Sequence, residues 1–422
     1  MVSEKQEYDS TLTPLFDDTG RAFGQLVAWL VDEGRQITEP THFVDALAMR
    51  LIDTGAPLWR MRLSFQTIHP QVEACAFTWT RGCTSAEFCL LHDTGDKGVP
   101  IFTPTQHDRP LRYRLDGLQP ETTHPELQRW AADGAVDYVG IPVLFSTGAT
   151  SWFIVATDST AGFTAVDVAN FEAFTKFLTP VLEVIATHRL ARTLLNTYIG
   201  RRSGSRVLDG LIKRGDGETI SAAIWLSDLR DSTHLTETLP RERLLALLNA
   251  YFELVAAAVT AHGGDVLRFI GDAMLAIFPV ERGDTPAACA AALDAAVHAF
   301  HDLVDLNKQC QRAGESPIRF GVGLHVGEVI YGNVGAPDRL DFTVIGPAVN
   351  RTARLENLTK ELGVPLLLSD DFARQTDRPI YSCGSHRMNG VAEPQSVFTL
   401  VEAPWRRSSE QAHSVPAPRL ER

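Results

Sequence analysis

The order of patterned segments in the C-terminal half constrains the fold most. Apolar spacing reads strand (220–227), helix (240–261), strand (265–270), strand (273–279), helix (286–312) and strand (318–325). The apolar period switches between two and 3.6 residues at each boundary, and few topologies accept such a series. β-α-β-β-α-β is the split order of a ferredoxin-like core. Strands at 328–334 and 340–346, a helix at 347–360, a strand at 364–368 and further strands after 380 continue it. The expected fold class is α+β, with this block at 219–402.

The first half is patterned differently. Helical periodicity runs from Arg21 to Leu51 through Phe23, Leu26, Leu30, Phe43 and Leu47, and Pro40-Thr41 opens a second helix. LWRMRLSFQTIHP and ACAFTWTRG alternate as strands, and polar residues 92–135 read as loops with a short helix. VDYVGIPVLF and TSWFIVATD read as two strands joined at Ser146-Thr147-Gly148. One long helix then runs from a Thr164 cap to Gly200, with a kink expected at Pro180. GRRSGSRVLDGLIKRGDGE is rich in Gly and charge and reads as a linker. The expected organisation is a tail at 1–20, an α+β domain at 21–180, helix and linker at 181–218, a second α+β block at 219–402 and a disordered tail at 403–422.

Composition removes several function classes. A net charge of -13 argues against general nucleic-acid or anionic-membrane binding. No run of about 18 apolar residues is present, and the polar, acidic N-terminus lacks signal-peptide character, so a cytoplasmic protein is expected. The six cysteines contain no C-x-x-C and read as ordinary thiols rather than disulfides or zinc ligands. None of the six lysines follows a glycine, so there is no phosphate loop of the G-x-x-x-x-G-K type; G-x-G-x-x-G, H-E-x-x-H and G-x-S-x-G are also absent. Trp59, Trp79, His69 and His92 read as core or surface residues rather than pocket lining.

Two carboxylates stand out. Asp228 follows the apolar strand AAIWLS, and Asp272 falls at the break in FIGDAML, a hairpin turn at a strand end. Carboxylates on adjacent strand ends suit a hard divalent ion that shares oxygen ligands with phosphate. DLRDSTHLTE adds hydroxyls, Thr233 among them, and free N–H groups before a helix. Asn350 and Arg354 lie at i, i+4 on one helix face, an amide and a guanidinium suited to a ribose and a charged phosphoryl group.

SDLRDSTHLTE, GGDVLRFIGDAMLAIF, GVGLHVGEVIYGNVG and DFTVIGPAVNRTARLE together resemble the catalytic domain of the class III nucleotidyl cyclases over 219–402. The resemblance implies an adenylate cyclase that closes ATP to 3′,5′-cyclic AMP and pyrophosphate. It implies two Mg²⁺ (or Mn²⁺) ions per site, held by Asp228, Asp272 and the carbonyl of Leu229. Asn350 would orient the ribose, Arg354 would meet charge at the α-phosphate, Arg268 and Thr343 would read the purine, and Thr233 and Arg387 would contact phosphate. Sites shared between the two chains of a homodimer are implied as well. The alternatives are a GTP-using cyclase and a weakly catalytic nucleotide-binding module. The chain departs from the family's usual residues at Arg268 (usually Lys), Thr343 (often Asp) and Asp231-Ser232 (commonly Gly-Phe), and no lysine follows Lys360. The element order at 21–180, ending in FTAVDVANFEAF, is similar to a GAF-type sensor domain with an unidentified ligand.

Overall fold

The computed structural model describes residues 18–66, 72–91, 109–117, 124–388 and 393–401. His69, His92 and the expected tails, apart from residues 18–20, lie outside the described residues. The chain divides into two compact units between Leu194 and Leu195.

The first unit holds helices α1 (Asp18–Asp32), α2 (Pro40–Asp53), α3 (Pro125–Ala132) and most of α4 (Ala165–Ile199). Its strands are β1 (Arg60–Gln66), β2 (Val72–Thr80), β3 (Ala86–Leu91), β4 (Leu111–Arg114), β5 (Asp137–Leu144) and β6 (Thr150–Thr157). They form one antiparallel sheet in the order β3-β2-β1-β6-β5-β4. Phe153 and Val155 of β6 pack under α1, α2 and α4, while Trp152, Ile154 and Ala156 face α3 through Trp130. Burial on both faces explains why TSWFIVAT is apolar almost throughout. Trp79 is buried in the larger core and Trp59 borders the smaller one. Thr164 caps α4 as expected: its Oγ1 accepts from the Asp167 N–H at 3.1 Å, and Asp167 accepts from the Thr164 N–H at 2.7 Å.

Two expectations for this unit need correction. β4 is a short strand with one exposed face, inside the segment read as loops. Cys75 and Cys89 face each other across β2 and β3 and are joined as a disulfide, against the reading of ordinary thiols. Their spacing of 14 residues carries no pairing signal until the hairpin register sets them opposite.

The second unit is built on β7 (Gly217–Leu229), β8 (Asp265–Ile270), β9 (Ala273–Pro279), β10 (Phe320–Ala336), β11 (Arg339–Ile345), β12 (Leu366–Ser369), β13 (Ile380–His386) and β14 (Gln395–Leu400). The sheet order is β13-β14-β12-β10-β7-β9-β8, with β11 paired to β10. Helices α5 (Arg201–Leu208), α6 (Ser232–Thr238), α7 (Arg241–Ala261), α8 (Thr285–Arg312), α9 (Pro347–Leu362) and α10 (Asp370–Ala373) complete it. Ala223 and Trp225 of β7 pack under α7 and α8 through Tyr251, Val259, Ala296 and Phe300. The alternate residues Ala222 and Ile224 face Phe342 and Val344 of β11 and Ala348 of α9. Asp228 shares the parity of Ala222 and Ile224 and so lies on this second face.

The strands read at 318–325 and 328–334 are one continuous strand, β10, and Gly327 passes through it without a turn. Residues 201–208, read as linker, form α5 instead. Gly204 lets α5 close on Leu195 and Asn196, and the Ser203 hydroxyl bonds Tyr331 Oη at 3.0 Å. Tertiary contact overrides a weakly helical sequence there. α7 and α8 reach the length and mean apolar composition of a membrane-crossing helix, but polar residues such as Asn249, Glu253 and Asp294 interrupt them, and they pack on each other and on the sheet.

His325 of β10 is buried, with Nδ1 2.8 Å from Ser369 Oγ. Burial pushes its imidazole down to about 4, and Arg351 adds to the push. The unfolded chain binds this proton near pH 6.5, so stability is complete above that pH and drains as pH falls towards 4. The expected loss between pH 6.5 and 5 is about 2 kcal/mol. Chemical unfolding of the wild type and His325→Gln at both pH values checks it: equal losses in the two proteins would remove His325 as the source.

Candidate active site

Asp228 is the penultimate residue of β7 and pairs with Ala273, the first residue of β9. Ile270 pairs with Ala273, so Gly271 and Asp272 form a two-residue hairpin turn. Gly271 supplies the positive φ of 63° that such a turn takes at its first position. The Leu229 N–H donates to the Asp272 carbonyl at 3.4 Å, and Asp228 pairs with Ala273, so the two aspartates stand on adjoining strand ends. Burial pushes the Asp228 carboxyl upward; the Lys360 ammonium opposes that push, and Asp272 adds to it. Lys360 Nζ sits 2.5 Å from Asp228 Oδ2. The donor set fits a hard divalent ion, since two adjoining carboxylates present oxygen ligands and excess negative charge.

Beneath this pair, α9 is clamped to the end of β7. Arg230 donates to the buried Glu356 carboxylate at 3.0 Å and also bonds the Thr359 hydroxyl. The Arg230 guanidinium lies over Gly321, where a Cβ would collide with it. Asp231 has a left-handed backbone (φ 60°), and its carboxylate is held by Arg319 at 2.5 Å. A glycine is the usual occupant of such a conformation, and Asp tolerates it. Its pairing with Arg319 partly neutralises its charge. Thr233 is exposed in the first turn of α6, a helix that the sequence reading did not separate from the one near Pro240.

A second cluster forms on β8 and β11. A register shift between Val266 and Arg268 re-aims the strand, and Arg268 is ion-paired with Asp341. Asp341 and Thr343 alternate on β11 and so share a side, which brings Arg268 and Thr343 into one neighbourhood. An open cleft of about 910 Å³ is lined by α5, Gly264, Asp265, Arg268, Asp341 and Phe342 among others, but not by Thr343. Neither Asp228 nor Asp272 lines it.

Asn350 and Arg354 occupy the first half of α9, and Arg354 makes no ion pair among the described residues. Lys360, which touches Asp228, is six residues beyond Arg354 and ten beyond Asn350. At 1.5 Å per residue those offsets are about 9 and 15 Å along the axis. Arg387 follows β13, four strand positions from β7, or about 19 Å across the sheet. Within one chain the structure therefore groups Asp228 with Asp272, and Arg268 with Thr343. It does not bring Asn350 or Arg387 to the aspartates. Sequence reasoning missed Lys360 as the neighbour of Asp228 and Arg230 as the partner of Glu356. A basic residue in the last turn of α9 was the only available signal, and it does not specify a partner.

Residues 217–369 match the family model described as the adenylate and guanylate cyclase catalytic domain, and this segment is such a cyclase domain. An uncharacterized protein of Mycobacterium tuberculosis (strain CDC 1551 / Oshkosh) is 33% identical over 228 residues, covering 53% of this chain and 38% of that protein. An adenylate cyclase of Anabaena cylindrica is 32% identical over 168 residues, covering 40% of this chain and 33% of that one. A solved bacterial light-regulated adenylyl cyclase is 31% identical with a TM-score of 0.40, covering 44% of this chain and 92% of its own. The chain spans between a third and two fifths of the length of these two curated relatives.

Proposed function

We propose that the protein is an adenylate cyclase that closes ATP to 3′,5′-cyclic AMP, in a homodimer whose two sites are each built from both chains. The observation that carries this reading is that Asp228, at the end of β7, lies across from Ala273 next to the Gly271-Asp272 turn, inside the matched cyclase segment. Asp228 and Asp272, with the carbonyl of Leu229, would hold Mg²⁺ or Mn²⁺, two ions per site. A divalent ion supplies Lewis acidity at the phosphates and at the ribose hydroxyl. Arg268 and Thr343 hold the purine, while Asn350 fixes the ribose with its 3′-oxygen in line with the α-phosphate. The 3′-oxygen–phosphorus bond forms, the bond to the β-phosphate oxygen breaks, the hydroxyl proton leaves to solvent, and pyrophosphate departs. Arg354 faces the charge that gathers on the α-phosphoryl oxygens, while Thr233 and Arg387 are assigned to the phosphates.

The separations within one chain support assembly of each site from two. Exposed apolar residues on β8 and the β10–β11 hairpin (Phe269, Ile270, Ile330, Val334 and Ile345) supply a surface for the second copy. The first unit, a six-stranded sheet between helices, is assigned a GAF-like sensor role for an unidentified signal. The whole protein would work in the cytoplasm.

Incubating the full chain with Mn²⁺ or Mg²⁺ and either ATP or GTP, and measuring cyclic product and pyrophosphate, tests the reading. Cyclic AMP formation from ATP, at least about tenfold faster than GTP turnover, is expected. No cyclic product from either nucleotide would end it. The GTP reading keeps one observation in its favour, because Asp341 beside Arg268 is an acceptor that a guanine amino group can use. Arg268→Lys should preserve ATP use, since an ammonium still donates to adenine N1 and still pairs with Asp341. Thr343→Ala should cost about 1–3 kcal/mol of discrimination by leaving a buried polar group unpaired. An unchanged ATP/GTP ratio in both variants would take these residues out of the purine site.

A further inference from the structure

Two adjoining carboxylates need a cation, and the chain places one of its own there. Lys360 Nζ lies 2.5 Å from Asp228 Oδ2, and Asp228 in turn adjoins Asp272. The lysine side chain is 42% exposed, so its ammonium can swing into water on a flexible stem. The helix that carries it does not depend on this contact. Leu355 and Leu358 are buried against Leu367 and Val397, and Arg230 holds Glu356 one turn earlier. Lys360 can therefore leave Asp228 while α9 stays seated.

We propose that Lys360 is a resident counter-cation of the metal half-site, which a divalent ion must displace from Asp228. It is a positioning residue: it keeps the two carboxylates together before metal arrives and sets the metal concentration at which the site fills. The inference rests on the assignment of Asp228 and Asp272 as metal ligands.

The test is Mn²⁺ binding to the nucleotide-free full chain, followed by titration calorimetry and by the metal-induced rise in unfolding temperature. Lys360→Met should bind Mn²⁺ about tenfold more tightly, unfold at a lower temperature without metal and show a larger metal-induced rise. Lys360→Arg keeps a competing cation and should stay within about threefold of wild type. Arg319→Met removes a charge near Asp231 without touching either aspartate, and controls for the general field. Asp272→Asn should weaken binding. If Lys360→Met does not tighten binding, or Arg319→Met tightens it equally, while Asp272→Asn still weakens it, the displacement idea falls and the metal site stands. If Asp272→Asn leaves Mn²⁺ binding unchanged, the metal-site assignment falls and this inference falls with it. A Lys360→Met protein that fails to fold leaves Lys360→Gln to carry the same comparison.

Discussion

Asp272→Asn should cut cyclase turnover by at least about a hundredfold, because a neutral amide is a poor ligand for Mg²⁺ and the charge of the site is halved. The fold should survive. Asp272 occupies the second position of a two-residue turn whose strained position belongs to Gly271. The bond that ties this turn to β7 runs from the Leu229 N–H to the Asp272 backbone carbonyl, which the substitution leaves in place. Removing one of two adjoining carboxylates also relieves their repulsion, so unfolding without metal should move to an equal or higher temperature. Turnover at saturating ATP and metal, together with a thermal melt, decides the matter. A variant that keeps more than about a tenth of wild-type turnover has lost no metal ligand.

Legibility from sequence follows how far each feature depends on local pattern. The strand end at Asp228 and the hairpin at Asp272 are local events, a period-two apolar run closed by Asp and an Ile-Gly-Asp break, and both lie where the pattern placed them. The capping exchange of Thr164 and Asp167 is equally local. What the sequence hides is set by partners far along the chain. Lys360 meets Asp228 across 132 residues, and Arg230 meets Glu356 across 126. Neither pair has a periodicity to announce it. α5 forms because Ser203 and Gly204 find Tyr331 and Asn196, not because RRSGSRVL favours a helix. The sequence pattern divides β10 in two because glycine in a strand interior usually marks a break. Gly327 instead leaves room for Ala348 of α9, to which a Cβ would come within 3.0 Å.

Mixing two inactive variants should restore activity. Arg354→Ala alone should lower turnover about 10²–10³-fold, the usual cost of losing a donor aimed at transition-state charge, and Asp272→Asn lowers it by the argument above. The residues lie in different parts of one chain: Asp272 is in the β8–β9 turn beside Asp228, whereas Arg354 is about 9 Å along α9 from the residue that reaches Asp228. In a two-fold dimer with shared sites, a mixed pair gathers both lesions into one site and leaves the other with an intact Asp272 from one chain and an intact Arg354 from its partner. Random exchange of equal amounts yields about half mixed dimers, each with one sound site of two, so activity should return to about a quarter of wild type. Differently tagged subunits verify the exchange, and cyclic AMP formation reads the result. A mixture that stays as inactive as its components, with exchange complete, would mean that each site is completed within a single chain, and that the exposed apolar surface of β8 and the β10–β11 hairpin serves another purpose.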